Sequence, residues 1–293
     1  MSKALSGKVA LVTGASRGIG KGTACALADQ GATVYVTGRT LCPGGHALPG
    51  SLEETVAEVD ARGGKGVAVA MDLLDDAAIA AVFDQIRRDE GRLDVLVNNA
   101  MAIPDSMTQR TGFWEKPLAD EWDIWNTGAR ALFVASWHAA RIMVPQGSGL
   151  IASLSGYVGV TYTYDVVFGT TKTAVDRMMR DMGHELRDTG VSAVSLWQGF
   201  TYTERATENL KKVPGMASQL NSAVGSSPEF PGRVIAALAM DPQVKTRSGG
   251  TFINAELAAE YGVTDIDGRS IPSLRESRGA PLWAPGAITW TGE

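Results

Sequence analysis

The residues best suited to chemistry lie near the N-terminus, in the stretch Thr13-Gly14-Ala15-Ser16-Arg17-Gly18-Ile19-Gly20. This stretch follows the apolar run Val9-Ala10-Leu11-Val12 and leads into a helical pattern, so a strand, a glycine turn and a helix succeed one another. Such a turn lets backbone N–H groups meet an anion at a helix start, where the partial positive charge of the helix favours it and side chains would block the approach. Glycine at 14, 18 and 20 meets that need, and the pattern predicts a nucleotide diphosphate bound along Gly14, Ser16, Arg17, Gly18, Ile19 and Gly20. Other constellations offer less. Cys42 and His46 are two potential ligands without Asp, Glu or a further His nearby, which does not make a metal site. His138 and His184 fall in helical patterns and lack a Ser/Asp partner arrangement, so no hydrolytic triad is predicted.

The elements that must position this turn are legible as alternating strands and helices, the pattern of a doubly wound α/β Rossmann fold with one parallel seven-stranded sheet flanked by helices. The predicted strands are 8–13, 33–37, 66–71, 93–98, 149–154, 191–197 and 250–254. Helical three-and-four spacing marks Ile79, Val82, Phe83 and Ile86, and again Val175, Met178, Met179, Met182 and Leu186, whose methionines read as core. Ser51-Leu52-Glu53-Glu54 has the form of a capping box, and Ser227-Pro228-Glu229 predicts a helix opening at its proline. Ligands of such sheets gather at the carboxyl ends of the strands. At 293 residues and 44% hydrophobic, the chain can bury one large core, so residues 1–274 are predicted as one domain and 275–293 as an irregular C-terminal arm over a neighbour. A net charge of −5 with no Lys/Arg block argues against nucleic acid or anionic membrane as partners. Two cysteines cannot build a disulfide framework, and no apolar run reaches the ~18 residues of a membrane span, so a reducing cytoplasm is the expected location.

The Gly-x-x-x-Gly-x-Gly spacing resembles the short-chain dehydrogenase/reductase family, and further family marks follow in order: Asn98-Asn99-Ala100 after a strand, Ser153-Leu154-Ser155-Gly156, and Lys172 at the usual interval from Ser155. The likeness spans about residues 5 to 270. Gly91-Arg92-Leu93-Asp94, Phe113-Trp114-Glu115, His184-Glu185-Leu186-Arg187 and Val194-Ser195-Leu196-Trp197 look most like the subgroup called dehydrogenase/reductase member 1. The resemblance implies a nicotinamide cofactor, with Asp72 and Leu73 at the adenine, Asn98 and Ala100 lining the far side of the adenosine pocket, and Gly199 and Thr203 at the nicotinamide. It also implies that Lys172 holds the nicotinamide ribose, Ser155 orients the substrate carbonyl, and Asn126 positions a water. Family members pair through the helices bearing Asn126 and Lys172, so a homodimer or homotetramer is expected. The second strand ends at Arg39 instead of an acidic residue, and with Arg17 this favours the 2′-phosphate of NADP(H) over NAD(H).

Two positions depart from the family pattern. Gln198 precedes Gly199 where a proline is usual, which adds an N–H donor and frees the backbone. Phe168 stands where the family has its catalytic tyrosine, and a phenyl ring has no proton to give an alkoxide. Tyr164 or Tyr162 could supply the hydroxyl, Ser155 or a water held by Lys172 and Asn126 could donate, or the substrate could need no proton there. Met101, Ile103, Phe113, Trp114, Phe200, Tyr202 and Met216, in the segments after the fourth and sixth strands, suggest an apolar carbonyl or alcohol substrate. Trp122, Trp125 and Trp137 follow helical spacing and are expected in the core or against a partner subunit. The leading expectation is an NADP(H)-dependent oxidoreductase with an altered proton donor. The alternatives are a non-catalytic NADP(H)-binding sensor or scaffold and, more weakly, a reductase of an activated double bond.

Overall fold

The computed structural model describes residues 3–109, 111–212 and 224–285. Its strands are β1 (Val9–Thr13), β2 (Thr33–Gly38), β3 (Lys65–Ala70), β4 (Val95–Asn98), β5 (Gly149–Gly156), β6 (Val191–Gln198) and β7 (Thr251–Ile253). They form one parallel sheet in the order β3-β2-β1-β4-β5-β6-β7. The chain turns outward from β1 in both directions, so the carboxyl ends of β1 and β4 open the crevice where this class of sheet takes its ligands. Successive strand residues feed opposite faces. Ala10, Val12, Val34, Val36 and Leu154 join one core layer, with α1 (Gly18–Asp29) and α8 (Phe230–Met240) packed on it. Val9, Leu11, Tyr35 and Ile151 join the other, under α3 (Asp76–Asp89), α5 (Ala131–Gln146) and α6 (Val166–Glu185). Because both faces are covered, the strands read as near-continuous apolar runs.

Local sequence chemistry sets most helix ends. Ser51 caps α2 (Leu52–Ala61) by accepting the Glu54 N–H at 3.1 Å, one half of the expected capping box, while Glu54 Oε2 accepts the Ser51 hydroxyl at 3.0 Å and not its backbone N–H. Met179 lies in the core with Val175, and Met178 and Met182 pack against it. The helix expected to open at Pro228 begins at Phe230, after a turn at Pro228 and Glu229 in which Ser227 Oγ accepts the Glu229 N–H at 3.3 Å while the Ser227 N–H and hydroxyl donate to Asp265. Residues 275–285 of the C-terminal arm lie on their own chain: Thr251 N–H donates to Trp283 O at 3.1 Å beside β7, and Arg180 donates to Ala284 O. Residues 286–293 of the arm lie outside the described residues.

Candidate active site

The glycine turn joins β1 to α1, and its shape requires glycine. Gly14 has φ +66°, and a Cβ there would sit 2.7 Å from the Ala100 Cβ; a Cβ on Gly20 would lie 2.2 Å from Gly14 O. The turn is locked to the end of β4 by Asn99, whose Nδ2 donates to Thr13 O at 2.8 Å and Gly14 O at 3.1 Å. Thr13 Oγ1 in turn accepts the N–H groups of Asn99 and Ala100. The affinity of this turn for anions is visible within the chain itself. The Gly18 N–H, at the start of α1, donates to Glu204 Oε2 at 2.9 Å. Glu204 opens α7 (Glu204–Lys212), a helix in the segment after β6, and Thr203 Cγ2 lies 3.3 Å from where a Gly18 Cβ would be. A hollow of about 320 Å³ lined by Pro49, Tyr202, Glu204, Thr207 and Glu208 opens beside that contact.

The residues expected around an adenosine lie beside the loop before α2 and after β3 and β4. Arg17 donates from Nε to Pro49 O and from Nη2 to Gly50 O, both at 2.9 Å, so its guanidinium also pins the loop before α2. Burial pushes that guanidinium down from its usual range, Glu204 pulls it up, and Arg205 and Arg39 push it further down. These three arginines thus share one region, and Arg39 is exposed without a carboxylate partner among the described residues. Asp72 accepts the Leu74 N–H at 2.9 Å, while the cap of α3 is Asp75. Leu73 O receives Arg130 Nη2 at 2.7 Å. The Asn98 amide turns inward to Ser136 and Ser153, its backbone lies opposite Ser153 in the β4–β5 ladder, and Ala100 packs on Gly14. Ser16 is buried and Ile19 packs on the core layer under α1.

At the other end of the crevice, Lys172 is buried in α6 and donates from Nζ to Leu154 O at 2.9 Å, near the end of β5. Burial pushes its ammonium down to about 8, against the pull of Asp176. Ser155, next along β5, donates its hydroxyl to Lys172 O at 3.1 Å. Asn126 opens a π turn (Asn126–Arg130) between α4 (Leu118–Trp125) and α5, a widened turn of the kind that recurs at functional sites. Gly128 in that turn approaches α6 so closely that a Cβ would meet Thr171 Cγ2 at 2.7 Å. Phe168 is half-buried, with the Tyr164 ring edge-on to it at 5.6 Å between centroids. Burial pushes the Tyr164 phenol up, and the charge acting on it is Arg278, not Lys172. Tyr162 is exposed and its hydroxyl donates to Tyr164 O. Gly199 lies against Leu274, the Gln198 Oε1 is buried with no partner in the protein, and the Thr203 hydroxyl accepts the Ala206 N–H.

The geometry therefore joins an anion-binding turn to a buried lysine along one edge of a parallel sheet. A model of the family described as short chain dehydrogenase matches residues 8–214. The chain belongs to that family. It is 41% identical over 278 residues to dehydrogenase/reductase SDR family member 1 of Mus musculus, covering 91% of this chain and 86% of the relative. The Homo sapiens protein of the same name is 39% identical, with 92% and 87% covered. A solved short-chain type dehydrogenase/reductase from Mycobacterium marinum superposes with a TM-score of 0.73 at 27% identity, covering 85% of this chain and 94% of that one. The chain is thus a member of an oxidoreductase family whose proteins bind NAD(P)(H).

Sequence reasoning missed several residues that shape the site. Lys116 donates from Nζ to Asp165 Oδ2 at 3.0 Å and to Met107 O, while Asp165 accepts the Phe168 N–H at 2.6 Å as the cap of α6. Asp176, one turn after Lys172, accepts Ser195 Oγ at 2.5 Å and Trp197 Nε1 at 2.8 Å. Lysine in a loop and aspartate within a helix carry no local sign of these partners; the turn-closing role of Asn99 was open to reading from its place after β4. Of the tryptophans expected in the core or against a partner subunit, Trp125 is half-buried, while Trp122 and Trp137 lie outside the core on the surface of α4 and α5, in the same helices as exposed Leu118 and Phe133. Phe113 and Trp114 are exposed at the end of the segment after β4. Met216 lies outside the described residues. No helix among the described residues is long and apolar enough to cross a membrane.

Proposed function

We propose that this dehydrogenase moves a hydride between NADP(H) and an apolar carbonyl/alcohol pair, with a proton donor other than the family's tyrosine. The observation that carries the reading is the pairing of the glycine cradle at β1 with buried Lys172 at the end of β5, on one edge of the sheet. When bound, the nicotinamide supplies or accepts the hydride. The cradle's N–H groups hold the diphosphate in place of Glu204, and Arg17, Arg39 and Arg205 favour a 2′-phosphate, which an acidic residue would repel. Lys172 holds the ribose, Ser155 orients the carbonyl after its hydroxyl leaves the Lys172 backbone, and Asn126 holds water beside them. Phe168 fills the tyrosine's ring position without an O–H. Tyr164 keeps its proton under burial and packs on Phe168, which makes it the first hydroxyl to test as donor. The exposed aromatic faces of α4 and α5 suit pairing of two copies into a homodimer or homotetramer. The same two features, Phe168 and the inward hydroxyl of Ser155, favour the second reading of a non-catalytic NADP(H)-binding protein.

The test titrates NADPH and NADH by fluorescence and follows NADPH oxidation against quinones, ketones and aldehydes, for the protein as it stands and for Phe168→Tyr. Tighter binding of NADPH than NADH, and a rise in turnover of roughly 10²–10⁴-fold with the phenol restored, is the expected result. Binding without turnover in either form would leave the sensor or scaffold reading, and failure to bind either nucleotide would overturn both.

A further inference from the structure

Asp176 is the buried charge that the chemistry described so far does not use. It is 2% exposed, in the interior of α6, and both oxygens accept: Oδ1 from Ser195 and Oδ2 from Trp197 on β6. Ser155, whose hydroxyl donates to Lys172 O, lies near the carboxylate. Burial pushes the carboxyl up, and Ser195, Ser155, Trp197 and Lys172 hold it down. A buried carboxylate is retained at this cost only with partners, and here they are Ser195 and Trp197 of β6; Lys172, one helical turn earlier, makes no direct ion pair with it, its Nζ going to Leu154 O. The neighbouring elements offer Lys172 no other counter-charge. Lys116 engages Asp165, Arg130 engages Asp76, Tyr157 on the turn after β5 lies beside Glu256 and Arg275, and Arg177 pairs with Asp181 on α6 itself. Among the described residues, Asp176 is the charge that acts on Lys172.

We propose that Asp176 is a positioning residue of the nicotinamide end: its carboxylate, anchored to Ser195 and Trp197 of β6 one helical turn after buried Lys172, is the counter-charge of that lysine while the Lys172 Nζ rests on Leu154 O of β5. The proposal rests on the reading of Lys172 as the ribose-holding group, but its main test does not need the cofactor. A role confined to tying α6 to β6 would be lost equally with Ser195 or Trp197. A counter-charge is lost only with Asp176.

The experiment measures unfolding stability of the cofactor-free protein from pH 6 to 11, with and without Lys172→Met, in the wild-type, Asp176→Asn, Ser195→Ala and Trp197→Phe backgrounds. The difference that Lys172→Met makes in each background isolates the titration of Lys172. Asp176→Asn is expected to lower the folded-state midpoint of Lys172 fitted to that difference by about one unit or more, because an opposite charge nearby favours the ammonium. Ser195→Ala and Trp197→Phe are expected to lower stability and leave the midpoint in place. Should Asp176→Asn fail to fold, with its amide facing the indole N–H, Asp176→Asn/Trp197→Phe removes that donor and is compared with Trp197→Phe alone. An unmoved midpoint, or one moved as far by Ser195→Ala, overturns the proposal. NADPH affinity across the same pH range is the second readout, and its alkaline limb is expected to move with the midpoint. If no form binds NADPH, the functional reading falls while the cofactor-free curves still decide the role of Asp176.

Discussion

Lys116→Met breaks the one fully buried ion pair that ties the segment after β4 to the start of α6. Both side chains are 1% exposed and 3.0 Å apart. Methionine fills the lysine's stem but leaves the Asp165 carboxylate with the Phe168 N–H as its remaining polar partner among the described contacts. Removing one member of a buried pair costs about 3–5 kcal/mol, most of it from the stranded charge. With an unfolding entropy of about 2.1 cal/mol/K per residue, 293 residues give roughly 0.6 kcal/mol/K, so the melting temperature should fall by about 5–8 °C. Asp165→Ser keeps an N-capping hydroxyl and removes the charge. Combined with Lys116→Met, it should therefore recover about 2 kcal/mol or more relative to the sum of the single changes. Thermal and urea unfolding of the four proteins close the cycle. A fall of less than about 2 °C for Lys116→Met, or strict additivity, would refute the view that this pair roots the segment.

Further outcomes follow from the site. Lys172 is held down to about 8, below its ordinary 10.5, so its charge weighs against folding below pH 8 and that cost is relieved as pH rises toward the unfolded value. Lys172→Met should thus stabilise the cofactor-free protein at pH 7 by on the order of 2–3 kcal/mol, weaken NADPH binding, and lose its stability gain near pH 10; a destabilised variant at pH 7 would contradict the sign. Glu204→Gln removes the carboxylate that holds the Gly18 N–H, so NADPH should bind roughly 3- to 10-fold tighter at low salt, with the gain shrinking in 1 M salt. An unchanged dissociation constant would mean that Glu204 does not compete with the diphosphate. Trp137→Glu, on the exposed face of α5, should shift any dimer to monomer in sedimentation at micromolar concentration, and an unmoved assembly would place the interface elsewhere.

What could be read in the sequence was local. The glycine turn, the seven strands and the Ser51 cap each follow from residues within a few positions of one another, and strand alternation with two apolar faces left the sheet little other choice. The missed features are contacts across the chain. Gly18 meets Glu204 from 186 positions away, and Lys116 meets Asp165 from 49. Lys116 looks like a solvated loop residue until the cap of α6 folds over it, and Asp176 looks like the polar side of a helix until Ser195 and Trp197 arrive from β6. Ser227 has the right type for a helix start and accepts the Glu229 N–H, but its tie to Asp265, 38 positions on, has no local sign. Asn98 kept its place after β4 while its amide turned to Ser136 and Ser153, a choice set by the α5 layer and invisible in the Asn98-Asn99-Ala100 motif.

The same division explains why Phe168 is tolerated by the fold. A phenyl ring fills the volume of a phenol, and here it packs edge-on to Tyr164 while its backbone N–H still meets Asp165. Nothing in the glycine cradle, the π turn or the Lys172–Asp176 network depends on an oxygen at that position, since each is closed by its own partners. On the proposed reading, a missing hydroxyl at this position would spare the fold and act on proton delivery, a term worth roughly 10²–10⁴ in rate and little in stability. On this account Phe168→Tyr should move turnover far more than it moves the NADPH dissociation constant or the melting temperature. A change that raised affinity in proportion to turnover would mean that the phenyl ring distorts the cradle instead of lacking a proton.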